Sequence, residues 1–477
     1  MPEETVSVRD RLVLFTLAAA QLLVILDTTI VNIAVPRAQV DLHLSDELRQ
    51  WVITGYALAF GSVLLIGGRI ADFWGRKRTF LLGLALFGAA SLWGGLSTVG
   101  IELIGARVLQ GAAAALMAPA SLSLVSVTFP SGRARNVAFG LLGGIVSSGA
   151  AVGLILGGVL TEWTSWRWCL LVNVPIVIAA FVAAVPVLRE SRSSERSRYD
   201  VAGAVTVALG FGALVYGLTR AEAGWIEGGA LLFVIVGVLL LVAFIVIQQR
   251  TSAPLLPLRV VLHRARGGAM LVQACSGGVV VGMTLYLTFH LQQVLHFSPL
   301  ASGLATLPFA VAIAATIPVL VRFIPRTGPK PMLVGGPLVA ALGLVLLSRV
   351  SADGSYWSEV LPGLVVMGVG MAGIFMPAQS VALAGVDERD AGAAAAASNA
   401  ANQIGGSIGL AVLTNLYLAA TEGSLDPGVL VQGYSAVFLA SAGILVVAAA
   451  IAAFVITFRT RGGVTAAIPS DHTAPIL

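Results

Sequence analysis

Two charged residues lie inside long apolar stretches of this chain, and they are the residues best placed to do chemistry. Asp27 lies within LVLFTLAAAQLLVILDTTIVNIAVP (12–36), and Arg107 lies in the apolar stretch that begins near residue 101. An ionised carboxylate in a hydrocarbon layer costs at least ~2.5 kcal/mol, so it normally faces a protein interior or water and has a partner. This setting favours proton uptake and release. The alternative is that Asp27 caps the following turn among the outer headgroups.

Asp27 and Arg107 are predicted to lie at similar depth. At ~1.5 Å per residue, Asp27 lies about 22 Å into the first predicted span, and Arg107 lies about 9 Å into the fourth, which runs the other way through a ~30 Å core. An intramembrane guanidinium needs a carboxylate, carbonyl groups or water. We therefore predict a pair that either relays protons or is a static structural ion pair. Gln110, one helical turn further on, should face the same side and hold the guanidinium.

The composition is that of a polytopic membrane protein. Of the 477 residues, 57% are hydrophobic and 11% are charged, against about 25% charged in an ordinary soluble domain. Lys77 and Lys330 are the chain's two lysines, and neither lies in a phosphate-binding G-x-x-x-x-G-K-[ST] loop. Cys169 and Cys275 fall in apolar stretches without metal-type spacing. We expect no enzyme activity, no cofactor, no metal site and no nucleic-acid partner.

Apolar windows predict an all-α protein with fourteen membrane spans. An even number of spans places both termini on one side of the bilayer, and 22 of the 28 Lys and Arg residues fall on that side, against 5 on the other. The positive-inside rule makes this side cytoplasmic, and we expect a bacterial inner (plasma) membrane. The predicted spans are 12–36, 50–70, 79–98, 101–123, 136–160, 166–188, 201–220, 229–248, 267–291, 300–322, 331–349, 359–384, 391–418 and 434–458.

A weak internal repeat divides the chain. The loop WGRK (74–77) after the second span has a degraded echo, TGPK (327–330), after the tenth. Two related six-helix bundles, 12–188 and 267–458, would then flank a basic loop and two inserted helices at 189–250. Repeated halves with a site between them near the bilayer midplane are a common plan of transporters.

Four motifs together resemble one family. They are LDTTIVNIAVP (26–36), GGRIADFWGRKR (67–78), RVLQGAAAA (107–115) and GAAVGLILGG (149–158), the last followed by WRWCLLVNVPI. In this order they resemble the fourteen-helix drug:proton antiporter branch of the major facilitator superfamily, the QacA/EmrB-like exporters, over nearly the whole chain. The resemblance implies that Arg107 takes part in proton relay and that Asp27 acts in coupling or cation recognition.

The loop after the second span resembles the superfamily's cytoplasmic gate motif. Its matching residues are Gly68, Asp72, Gly75, Arg76 and Lys77, whereas Phe73 stands where the family usually has a base. An acid fits there because the N-terminus of a helix attracts negative charge: Asp72 would latch onto the start of the thirteenth span, near Asp390, or pair with Arg133. Such a contact would hold when the cytoplasmic side is closed. The alternative is a basic loop that only sets the topology.

Small residues in the fifth span predict close helix packing. Gly149, Gly153, Gly157 and Gly158 let another backbone approach, and we expect a helix of the other half there. Leu154 replaces the proline of the family's antiporter motif. Polar residues within spans either line the substrate cavity or cross-link helices. The predicted cavity residues are Asp27, Asn32, Gln110, Gln273, Gln292 and Asn402.

These features predict a monomeric, proton-driven exporter of small amphipathic, cationic compounds, embedded in the lipid bilayer. Two bundles would rock around a midplane cavity, and the proton gradient would be the driving force. The nearest alternative is a dedicated exporter of one metabolite, such as an antibiotic or a siderophore. A second alternative is a non-transporting membrane sensor or scaffold, for which loss of the Asp27 carboxylate would leave function intact.

Overall fold

The computed structural model describes residues 8–129, 138, 149, 151–192, 200–221, 226, 229–251, 254–386, 390–422, 424 and 426–456. Within these residues all regular structure is helical, and there is no strand. The first six long helices form what we call the N-terminal group. They are α1 (Val8–Asp41), α2 (Asp46–Trp74), α3 (Arg76–Gly95), α4 (Gly100–Thr128), α5 (Ala151–Trp163) and α6 (Trp168–Val187).

Two helices follow and then six more, which we call the C-terminal group. The two are α7 (Val201–Arg220) and α8 (Ala230–Arg250). A π-helical turn, His290–Val294, ends the first helix of the C-terminal group. The six are α9 (Arg264–Val294), α10 (Pro299–Thr327), α11 (Lys330–Leu347), α12 (Tyr356–Leu383), α13 (Ala391–Thr421) and α14 (Pro427–Phe454).

Eleven helices in the described part of the chain are long and apolar enough to cross a membrane, and α2, which is bent, would make twelve. The protein is therefore a multi-pass membrane protein. The two labelled helices outside this count are α3 and α5. The α3 helix has 20 residues, which is ~30 Å of helix, but it begins with a basic turn. The predicted fifth span, 136–160, begins among residues that lie outside the described ones.

Helix starts follow local capping chemistry. The hydroxyl of Ser45 accepts the backbone N–H of Leu48 at the start of α2, and Asp200, Ser298 and Asp426 cap α7, α10 and α14 in the same way. One predicted boundary is wrong. The first span was expected to close at Pro36, but α1 continues through it to Asp41. A proline removes one intrahelical hydrogen bond, and the turns on either side keep α1 helical here.

Helix packing repeats between the two groups. In the N-terminal group, α4 packs on α2 and α3, and α3 packs on α6; in the C-terminal group, α12 packs on α10 and α11, and α11 packs on α14. The helices α7 and α8 pack on each other, and α7 also touches α2 and α13. The two groups meet mainly where α2 packs against α13.

Backbones approach closely inside each group because glycines face them. A Cβ on Gly67 of α2 would lie 2.1 Å from the carbonyl oxygen of Ala115 on α4, and one on Gly277 of α9 would lie 2.1 Å from that of Asn402 on α13. Such contacts are the usual way in which membrane helices gain packing energy, since lipid is as apolar as leucine. The first of these contacts fixes α2 against α4, which carries Arg107 of the charged pair described next.

Candidate transport site

Asp27 and Arg107 form an ion pair in the interior of the N-terminal group. The Nη1 of Arg107 donates to Oδ2 of Asp27, and the two side chains are 2% and 0% exposed. The prediction from depth and charge that these residues pair is confirmed by this contact. The alternative location for Asp27, among the outer headgroups, is wrong, because its carboxylate is buried between α1 and α4.

Three polar side chains complete the network around the carboxylate. Gln110 accepts from Nη1 of Arg107 (2.9 Å) and donates through Nε2 to Oδ1 of Asp27 (2.9 Å) and to the hydroxyl of Ser91 on α3 (2.8 Å). Nδ2 of Asn173, on α6, donates to the same Oδ1 over 3.0 Å. Four helices, α1, α3, α4 and α6, therefore supply side chains to this network.

The guanidinium is held on its other side by α2. Nε of Arg107 donates to the carbonyl oxygen of Val52 (3.0 Å), and Cζ lies 4.5 Å from the ring centroid of Tyr56. The Tyr56 hydroxyl and Oδ1 of Asn173 are buried and accept no hydrogen bond from the described residues. The arrangement holds an ion pair in the interior of the N-terminal group, surrounded by hydrogen-bonding groups from three other residues.

The other predicted cavity residues do not meet Asp27. Gln273 contacts the Gln379 carboxamide (3.0 Å) and the Ser398 hydroxyl (2.8 Å), and Asn402 donates to the backbone oxygen of Gln273 (3.2 Å). These residues cross-link α9, α12 and α13, because buried carboxamides satisfy one another in an apolar bundle. Asn32 is half-buried on α1. In this conformation these residues and Asp27 do not form one cluster, and their place in a substrate cavity stays a prediction.

A cavity of about 500 Å³ lies between the end of α1, the α5–α6 connection and the junction of α9 with α10. We call it the outer cavity, after the predicted topology. Arg167 donates to Oδ2 of Asp41 over 2.5 Å, and the Trp166 indole donates to the same oxygen over 2.9 Å. Gln292 lines this cavity, and its Nε2 donates to the carbonyl oxygen of Ile33 (3.3 Å). Gln292 thus joins the two groups, away from Asp27.

Asp72, in the loop that resembles the gate, pairs with Arg76 at the start of α3. Its Oδ1 lies 3.0 Å from Nη2 of Arg76, whereas Asp390, at the start of α13, pairs with Arg259 (2.6 Å). The expected partner Arg133 lies outside the described residues. The predicted contact of Asp72 with the start of α13 is therefore not made in this conformation, because Asp72 pairs with Arg76 and Asp390 pairs with Arg259.

The rest of that loop is tied to the end of α6. Gly75 has φ = +122°, a conformation that favours glycine, and it separates α2 from α3. Glu190 accepts the backbone N–H of Lys77 (3.1 Å) and of Arg78 (3.3 Å) and so caps α3. Gly68 faces α4, where a Cβ would lie 3.8 Å from Pro119. The loop's partner in this structure is the chain after α6.

The glycine stripe of α5 contacts mainly α1. A Cβ on Gly153 would lie 1.8 Å from Oγ1 of Thr29, and one on Gly157 would lie 2.9 Å from the carbonyl oxygen of Ile30. Gly149 faces α1 in the same way. The expectation of a partner from the other half is wrong for these three glycines, because residues four apart form one stripe and that stripe faces α1. Gly158, the next residue, does face α10: a Cβ there would lie 2.6 Å from the Cα of Leu300.

Sequence reasoning missed Asn173, Ser91 and Tyr56, which touch the ion pair or its partner Gln110. The available signal was Asn173, a carboxamide in the apolar segment LLVNVPI (170–176). Intramembrane polar residues of this kind are expensive and therefore informative. Ser91 and Tyr56 give no comparable signal, since hydroxyl groups are common in membrane helices.

A bundle of apolar helices around a buried, ion-paired carboxylate is an architecture of membrane transporters. Comparison with known proteins makes that class specific. Residues 17–410 match the family model of the Major Facilitator Superfamily, and the chain belongs to this family. The resemblance inferred from the motifs is confirmed at this level, and so is the expectation of a transporter rather than an enzyme. A crystal structure of the peptide transporter POT in complex with sulfate shares the fold, with a TM-score of 0.69, 16% identity and coverage of 92% of this chain and 93% of that one.

Two relatives are similar over most of their length. The puromycin resistance protein pur8 of Streptomyces alboniger is 42% identical over 460 residues, covering 94% of this chain and 92% of the relative. The cephamycin export protein CmcT of Amycolatopsis lactamdurans is 36% identical over 428 residues, covering 88% and 87%.

Proposed function

We propose that this protein is a proton-coupled efflux antiporter that exports small amphipathic, cationic compounds by alternating access. The relatives support export, since one is named for resistance to puromycin and the other for export of cephamycin. The observation that carries proton coupling is the Asp27 carboxylate, buried between Arg107, Gln110 and Asn173. A buried acid beside a permanent positive charge has two well-defined states. In one it is ionised and paired with the arginine, and in the other it is protonated and no longer attracts it.

The two states suggest how substrate and proton exchange. A proton arriving from outside neutralises Asp27 and removes its attraction for Arg107 and for a bound cation, so the cation leaves. Arg107 keeps the Val52 carbonyl and the Gln110 carboxamide as acceptors in that state. Loss of the proton to the cytoplasm restores the ion pair and the attraction for the next cation. Each protonation state thus favours one orientation of the transporter.

The architecture that goes with this function has fourteen spans. We place two six-helix bundles at 12–188 and 267–458, with the basic loop and α7–α8 inserted at 189–250. This division is supported by the helix contacts, because α2, α3, α4 and α6 pack on one another in the same pattern as α10, α11, α12 and α14 do. The excess of basic residues on one side supports cytoplasmic termini in a bacterial inner membrane. A monomer suffices, because the chain holds both bundles.

The test is proton-gradient-driven uptake of a cationic dye into inverted membrane vesicles. The wild type should accumulate dye and should release protons when dye is added to the purified protein in detergent. Asp27→Asn, which keeps the shape of the side chain but cannot ionise, should abolish both signals. Asp353→Asn makes the same change in an exposed loop between α11 and α12 and should leave both unchanged. Equal activity of the Asp27→Asn and Asp353→Asn variants would remove the proposed coupling.

The second candidate function is export of one metabolite. It is favoured by the names of the two relatives, each of which specifies a single antibiotic. A panel of dyes, puromycin, a cephamycin and a siderophore, assayed in the same vesicles, separates the two functions: a broad exporter moves several cations, and a dedicated one moves a single compound. A sensor or scaffold would move none, with no proton release on addition of dye.

A further inference from the structure

Arg49 is buried, although it belongs to the predicted outer connection between the first two spans. Its side chain is 3% exposed, and Cζ lies 4.2 Å from the ring centroid of Phe289 and 5.9 Å from that of Tyr417. Nη1 donates to Oε1 of Gln39 over 3.2 Å. Because Phe289 belongs to α9 and Tyr417 to α13, a cation of the N-terminal group is inserted among rings of the C-terminal group.

Tyr417 packs on two further tyrosines, and we call these three rings together with Phe289 the aromatic cluster. The Tyr286 and Tyr417 centroids lie 4.9 Å apart, and Tyr434 stacks on Tyr417 at 5.5 Å. The hydroxyls of Tyr286 and Tyr434 donate to Thr414 (2.9 Å) and Gln293 (3.1 Å). The cluster therefore offers ring faces to Arg49. Such faces bind guanidinium and quaternary ammonium groups, and the contact gains strength where water is excluded.

The aromatic cluster adjoins the outer cavity. Gln293, which accepts from Tyr434, also lines that cavity. Asp41 carries a carboxylate on the cavity wall. The other charged residues on that wall are Arg37 and Arg167, and Arg167 pairs with Asp41. An organic cation leaving the rings would therefore pass from an aromatic surface into a polar vestibule.

We propose that this aromatic cluster is a binding site for the exported organic cation, which Arg49 fills in the present conformation and vacates as the outer ends of the two groups separate. The proposal deepens the proposed function and rests on its cationic substrate. Arg49 and a ligand cation exclude each other from the rings, since like charges repel. Opening breaks the contact of Arg49 with the rings, and an incoming cation offsets that loss whereas a neutral compound does not. Cations thereby favour the open state.

The first test is calorimetric binding of tetraphenylphosphonium to the purified full chain, without a proton gradient. Arg49→Gln removes the internal competitor and should tighten binding about 5-fold, whereas Phe289→Leu removes a ring face and should weaken it about 5-fold. Phe289→Tyr keeps the ring and should bind as the wild type does. Arg349→Gln removes an exposed arginine at the same predicted side and should change nothing.

The second test is the distance between spin labels at Thr98 and Asp353, in a background with Cys169→Ser and Cys275→Ser. Both label positions are exposed, one in each group. Arg49→Gln and Phe289→Leu should both lengthen this distance without ligand, because each breaks the contact across the interface. Tetraphenylphosphonium should lengthen it in the wild type, and a neutral triarylphosphine oxide should not.

If Arg49 is an internal competitor, Arg49→Gln and Phe289→Leu should change the affinity for tetraphenylphosphonium in opposite directions but lengthen the distance between the spin labels alike. Weaker binding in Arg49→Gln, or unchanged distances in both variants, would overturn the proposal. Asp27-dependent dye transport that persists alongside such a result would leave the proposed function standing. A protein that gives the expected binding and distance results but moves no dye would instead support the cation site and refute the exporter.

Discussion

Asn173 on α6 donates a hydrogen bond of 3.0 Å to Oδ1 of Asp27 on α1, whose other carboxylate oxygen is held by Arg107. The carboxamide sits where α6 is interrupted at Val172, so Asn173 begins the longer segment of that helix. Hydrogen bonds to ionised groups are stronger than neutral ones. Asn173 is therefore a positioning residue that stabilises the ionised state of Asp27.

Asn173→Leu should slow transport. Without this donor, Oδ1 of Asp27 keeps only the hydrogen bond from Gln110 among the described residues, so the carboxylate is held less firmly toward Arg107. We expect dye uptake in inverted vesicles to fall several-fold. Asn399→Leu is the matched control, because Asn399 is exposed and donates to the carbonyl oxygen of Ala395 in its own helix. Equal uptake rates in the two variants would contradict a positioning role for Asn173.

Arg107→Gln should destabilise the protein. Removing one partner of a buried ion pair costs about 3–5 kcal/mol, because the remaining charge is uncompensated. Thermal unfolding in detergent should therefore show a reduced midpoint. The double variant Asp27→Asn/Arg107→Gln should recover much of this loss, because it leaves no unpaired charge. An additive loss in the double variant would argue against the pair.

The Asp27–Arg107 pair was predictable from the sequence because charge and depth can be inferred along one dimension. A charge within an apolar span must find a partner, and rise per residue gives its depth. Asn173 and Arg49 were not predictable in the same way. Their roles depend on which helices become neighbours, and residue spacing along one chain does not reveal that. Arg49 in particular lies in a predicted connection, and only its contacts with Phe289 of α9 and Tyr417 of α13 show that it is buried.

The glycines of α5 illustrate the same limit. Their four-residue spacing predicted a face for close packing, and the structure has that face, but its partner is α1 rather than a helix of the C-terminal group. Spacing along one helix defines a surface, and the fold decides what covers it. The fold class itself was predictable, because long apolar spans and basic loops are dictated by the bilayer.

Gly157→Ala should weaken the contact between α5 and α1. The added Cβ would lie 2.9 Å from the carbonyl oxygen and 3.0 Å from the Cα of Ile30, and a backbone cannot turn aside as a side chain can. We expect a lower midpoint of thermal unfolding and, because Ile30 is close to Asp27, reduced transport. Gly335→Ala is the matched control, since a Cβ there meets nothing within 4 Å and alanine favours helix. Equal stability of the two variants would contradict the close approach.

Asp72→Asn tests whether the loop between α2 and α3 acts in a second conformation. The Asp72–Arg76 pair has side-chain exposures of 42% and 20%, and exposed pairs of this kind contribute about 0–1 kcal/mol. The thermal midpoint should therefore change little. If Asp72 binds the start of α13 when the cytoplasmic side closes, the variant should nevertheless transport dye several-fold more slowly, because it loses a contact made only in that state. Stability and rate must be measured on the same preparation, with Asp353→Asn as the matched change of charge. Unchanged transport would mean that the loop only sets the topology. A parallel loss of stability and transport rate would mean that Asp72 acts through its contact with Arg76 in the present conformation.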